Sequence, residues 1–189
     1  MRRLLLGGWI AFVPVAALAQ PVTPADLEGN VLEARLVVAQ QIRREGREFP
    51  VEVHQQLRFV FRPERVVEWS MIPVSHTPRG VRQGPTQTGR VAMNKVVDAR
   101  GPGGGQAIWL FEDGTLTTLR TFGGDGGFKR TISFTREGNG FACSLKSTFM
   151  REEGVGRIAT RSVIDNVPLT ILSARQVSSS CRIAKNPAT

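Results

Sequence analysis

The chain has 189 residues, with 25 Lys and Arg against 16 Asp and Glu, a formal charge of +9, 41% apolar residues and no Tyr. That apolar content excludes a disordered polyelectrolyte, and the length suits one domain with its own core. Only four of the basic residues are Lys, and the arginines are scattered from Arg35 to Arg182 rather than gathered in a run with aromatics between them, so nucleic acid is not an expected partner.

Residues 1–19, MRRLLLGGWIAFVPVAALA, read as a secretory signal peptide. Arg2 and Arg3 form the basic region, Leu4 to Val15 the apolar core, and Ala17-Leu18-Ala19 the small-x-small cleavage site. Pro14 and the short run argue against a transmembrane helix, so the protein is expected in the periplasm or outside the cell, without a membrane span after cleavage. Residues 20–28 are expected as an N-terminal linker, 29–185 as a single β domain and 186–189 as a tail.

From Leu32 the apolar side chains alternate (Leu32, Ala34, Leu36, Val38, Ile42) with mostly polar ones (Glu33, Arg35, Gln41, Arg43), the period of a half-buried strand. RREGRE turns the chain, and Phe49, Val51, Val53, Leu57, Phe59 and Phe61 continue on the opposite parity, predicting a long antiparallel hairpin. A weaker strand is expected over 65–71, then a Pro- and Gly-rich loop over 73–88, then a strand over 89–97. ARGPGGGQ reads as a flexible glycine loop. Strands follow at 106–112, 115–122, 128–136 and 141–150, joined by EDG, GGDGG and EGNG, which supply the positive φ angles of short hairpins. REEGVGRIATRSVIDNVP leaves room for a short helical turn, and a last strand covers 169–183.

These elements predict an all-β, antiparallel meander of eight to nine strands. Closing it into an up-and-down barrel removes its edges; a two-sheet β-sandwich is the alternative. An outer-membrane barrel is excluded by the missing aromatic girdles and by charged residues on one face of most strands. LEGNVLEARLVV, GGGQAIWLFEDGTLTTLRTF and QVSSSC resemble small exported bacterial proteins of unassigned function with a lipocalin-like meander. The resemblance implies that fold and no activity. Val31 stands where lipocalins carry the Trp of their Gly-x-Trp motif.

Cys143 and Cys181 are an even pair in a compartment where disulfides persist, and a bond between them is expected. Two Cys and two His in no paired ligand spacing give no metal site, and no cofactor motif is present. No Gly-x-Ser-x-Gly, HExxH or Cys-His pattern proposes an enzyme.

Two binding candidates remain. Alternation sets Arg120 beside Leu116, Thr118 and Phe122, and Arg130 beside Phe128, Ile132 and Phe134. A guanidinium on an apolar face needs a carboxylate, water or an anionic ligand. The functional reading is a small amphiphilic anion held by Arg120 and Arg130, with Gln40 and Gln55 as polar contacts and Trp109 as a wall. The structural reading is a parity flip at a bulge, or arginines at a barrel mouth whose stems lie on apolar surface while their heads reach water. The second candidate is the loop 73–88, where His76, Arg79, Arg82 and Gln83 would meet a protein or an anionic envelope polymer.

Overall fold

The computed structural model describes residues 20–98, 106–121, 126–151 and 158–187. Residues 1–19, expected as a signal peptide, most of the glycine loop and Phe122 lie outside them. Among the described residues are one helical turn, α1 (Pro24–Leu27), and twelve strands: β1 (Asn30–Arg44), β2 (Arg47–Arg62), β3 (Val66–Thr77), β4 (Gly80–Gln83), β5 (Gln87–Ala92), β6 (Lys95–Asp98), β7 (Gln106–Glu112), β8 (Thr115–Thr121), β9 (Gly126–Glu137), β10 (Gly140–Arg151), β11 (Ile158–Arg161) and β12 (Pro168–Lys185). No helix among them is long and apolar enough to cross a membrane.

The chain is all-β and every strand pair is antiparallel. One sheet has the order β11-β12-β1-β2-β3-β4, with β5 also on β3; the other runs β10-β9-β8-β7-β6. Neighbours in space are mostly neighbours in sequence, as in a meander, and the last strand returns to pair with the first. The strand count exceeds the eight or nine expected because short strands hide in segments that read as loops or as one strand. The expected 89–97 strand is two: β5 ends at a turn where Asn94 takes φ 63°, and β6 crosses to the second sheet. Asn94 anchors the crossing by donating its N–H to Trp109 O (2.5 Å) and accepting from Phe111 N–H at Oδ1 (2.8 Å).

The segment 73–88, expected as one irregular loop, is likewise ordered pairing. β3 runs on to Thr77, turns at Pro78-Arg79, returns as β4, and β5 begins at Gln87. Met71, Pro73 and Ser75 are buried in alternation, so the period of two continues through the proline that suggested a break. Gly84 closes the hairpin, its N–H donating to Pro73 O at 2.9 Å.

Residues 20–28 also do more than link. Thr23 and Asp26 form a reciprocal capping box with Pro24 in the first turn, which fixes α1 despite its length. Val22 and Leu27 are then buried in the main core, closing the end of the fold where β1 begins.

The core has two parts. The larger, lower one packs Leu32, Leu36, Phe59, Phe61 and Val67 against Trp109, Phe111, Leu116, Ile132 and Phe134 from the second sheet. Edge-to-face pairs Phe59–Trp109 (5.7 Å) and Phe61–Phe134 (5.9 Å) cross between the sheets. The smaller, upper part holds Ile42, Val51, Val53, Ile158 and Ile171, with Phe128 and Phe149 against it. Here the seven-stranded sheet curls until its edges approach. A Cβ added to Gly84 beyond β4 would lie 2.6 Å from Val163 O in the β11–β12 turn, so only glycine allows this closeness. Asp165 of that turn pairs with Arg44 at 2.8 Å and stands 3.7 Å from Arg82.

The sheets meet at β10 and β12 through side chains rather than a backbone ladder. Ser179 Oγ donates to Leu145 O (2.6 Å), Ser147 N–H donates to Gln176 Oε1 (2.5 Å), and the Cys143–Cys181 disulfide bridges Cα atoms 6.0 Å apart.

Candidate functional site

The β8–β9 ladder runs without a register shift from Thr115↔Ser133 to Thr121↔Gly127. Gly127 makes this possible: a Cβ there would lie 2.0 Å from Arg120 O. Parity is therefore kept from β8 to β9, and Arg130 shares its face with the buried Ile132 and Phe134. Arg120 follows Leu116 and Thr118, both buried, on the corresponding face of β8.

Arg130 lies between the two parts of the core. On its own strand Ile132 belongs to the lower cluster, while Phe128 touches both. Across the interior Gln55 has the same position on β2, between Leu57 below and Val53 above. The two side chains meet, Arg130 Nη2 donating to Gln55 Oε1 at 2.6 Å, with Met71 Sδ at 4.0 Å from the same nitrogen. Thr118 is the cross-strand neighbour of Arg130, and Trp109 that of Thr118, so the three form one row on the second sheet. A polar layer thus divides an otherwise apolar interior.

This layer carries positive charge. Arg130 has no ion pair among the described residues, and its Nε is buried without an acceptor. A buried donor left unmade costs about 1–3 kcal/mol. Burial, and secondarily the charge of Arg120, push the Arg130 pKa down to about 10, so it remains a cation at neutral pH. Burial lowers the pKa of Arg120 too. Two guanidinium groups in apolar surroundings have the chemistry to pair with a carboxylate or phosphate.

Of the predicted partners, Gln55 reaches Arg130 and Gln40 does not. Gln40 pairs with Val51, four residues along β1 from the Leu36–Gln55 pair, and lines a shallow surface groove of about 350 Å³ with Ala39, Pro50 and His76. Trp109 is core, stacked on Trp69 at 6.3 Å. Thr118 and Met71 were not singled out, although the parity of their strands points to them. Asp165 left no local signal, because its partner Arg44 is 121 residues away.

The residues of the second candidate are spread along the β3–β4 hairpin. His76 is on β3, stacked on His54 at 4.2 Å, while His54 Nε2 lies 2.6 Å from Glu52 Oε1. Arg79 is in the turn, where its N–H donates to Thr77 Oγ1. Arg82 and Gln83 are on β4, whose four residues are all exposed. Compared with known proteins, the chain matches no family model, no curated protein and no solved structure.

Proposed function

We propose that this is an exported, non-enzymatic binding protein that holds a small amphiphilic anion between its two sheets. The acidic head pairs with Arg130 and Arg120, and the tail lies along the apolar side chains on either side of the polar layer. The observation that supports this reading is the buried Arg130 Nε with no acceptor, on a side chain with no carboxylate partner among the described residues. Structural arginines elsewhere in the chain have one: Arg44 has Asp165 and Arg136 has Asp26. Export rests on the signal peptide and agrees with the disulfide.

The test is a thermal melt of delipidated protein with a series of fatty acids. Wild type gains stability with chain length, and Arg130→Met removes the gain. A wild-type melt that no fatty acid moves would overturn the proposal.

A second reading, an envelope interaction module, draws on the β3–β4 hairpin. Val81 at its tip is 63% exposed beside Arg79 and Arg82. Deleting 78–83 from the protein used to capture partners from envelope extract would abolish capture under this reading and leave the fatty-acid response intact.

A further inference from the structure

On the outside of the curled sheet, near the start of β1, a second cluster of cations stands apart from the interior site. The register aligns Arg58, Glu33 and Arg182 in one row across β2, β1 and β12, and places Arg35 in the next row between Gln56 and Ser180. Lys185 ends β12 beside them. Adjacent strands are about 4.8 Å apart and successive residues on one face about 7 Å, so these charges form a lattice on an open sheet surface. Arg182 Nε donates to Glu33 Oε2 at 2.9 Å, but Arg35, Arg58 and Lys185 have no ion pair among the described residues. Between the charges runs a groove of about 260 Å³ with an apolar floor of Val31, Ala184 and Pro187.

We infer that this groove binds an acidic polysaccharide, its sugar rings over Val31, Ala184 and Pro187 and its carboxylates on Arg58 and Lys185, while Glu33, also in the lining, holds Arg182. The floor decides the class. Polyphosphate has no apolar face to set against it, and single-stranded nucleic acid would need aromatic side chains to stack upon, which this row lacks. An anionic bilayer surface would call for exposed apolar side chains that insert, whereas Val31 is 7% exposed and lies below the charges. Sugar rings fit because their C–H faces pack on aliphatic carbon while their acidic groups reach outward to forked guanidinium donors.

The experiment is calorimetric titration of the full protein with hexagalacturonate, its methyl-esterified form and polyphosphate, at low and at moderate salt. Hexagalacturonate binds, the neutral ester does not, and polyphosphate binds more weakly with a steeper loss on adding salt. Arg58→Ser with Lys185→Ser weakens hexagalacturonate binding about tenfold. Arg47→Ser with Arg175→Ser, which also removes two exposed charges that have no ion pair among the described residues, changes it less than about twofold. None of the four positions has an ion pair among the described residues, and equal melting temperatures of the two double variants check that both remain folded. Equal loss in both, or polyphosphate binding as tightly as the acidic glycan, overturns the inference in favour of general charge attraction.

Discussion

The lower and upper halves of the interior solve the same problem differently. Below, two sheets face each other, aromatic rings interdigitate, and α1 with Val22 and Leu27 closes the end. Above, one sheet curls towards itself, its edges brought together at the Gly84–Val163 approach and by Asp165 near Arg82. Between them sit Gln55, Thr118, Arg120 and Arg130. The contrast teaches that polar residues have been placed where the architecture changes, at the level where sheet-on-sheet packing gives way to a curled wall. A layer serving stability alone would be apolar there, since a buried cation without a carboxylate costs more than a methionine of similar length.

Four measurements sharpen or break this comparison. Phe61→Ala in the lower core, where the ring is 1% exposed, costs about 3–5 kcal/mol by urea unfolding, whereas Leu169→Ala above costs about 1–2 kcal/mol. Equal losses would show that the halves are one core. Second comes the seam. Cys143→Ser with Cys181→Ser lowers stability by about 3–4 kcal/mol, because the bond closes a ring with a sequence separation of 38. Stability unchanged by the double substitution would mean that side chains alone hold β10 to β12.

The third measurement has the opposite sign. Arg130→Met with Gln55→Leu removes the cation and its one amide acceptor together, and raises the stability of the ligand-free protein by about 1–2 kcal/mol. A fall in the melting temperature would mean that the layer is satisfied without ligand. The smallest effect is on acid stability. Hydrogen bonds from the Thr23 backbone, Arg136 and the Thr23 side chain hold the Asp26 carboxyl at about 2, below its ordinary 3.8. Asp165 is also lowered: burial pushes it up, but hydrogen bonds from Ser162, Arg44 and the Val167 backbone outweigh this. A depressed carboxylate stabilises the fold fully above its unfolded pKa and loses that contribution as pH falls through the folded one. For Asp26 the window runs from about pH 4 down to about pH 2. Asp26→Asn flattens the acid limb of the stability profile there by less than about 1 kcal/mol, since the Arg136 partner is solvent-screened. An unchanged limb would show that the Asp26–Arg136 pair does not hold the lower end.

What could be read from residue order was whatever repeats locally. Alternation from Leu32 to Phe61 predicts the first hairpin, and the glycine turns after Glu112, Thr121 and Glu137 predict the later ones. The same period predicts that Arg130 shares a face with Ile132 and Phe134, because a side chain's face in a strand depends only on counting by two. The strand β4 was illegible, since Pro73 and Pro78 look like breaks, and so was the split of the 89–97 strand into β5 and β6, since Asn94 gives no sign of crossing between sheets.

The sequence by itself determined the antiparallel all-β class, the faces of the long strands and the cysteine pair. Only the tertiary structure decided that Gln55 and not Gln40 meets Arg130, that Asp165 reaches Arg44, and that α1 fills the lower end. Those contacts join residues far apart along the chain, and their partners follow from how the sheets curl and face each other. No local periodicity encodes that curvature.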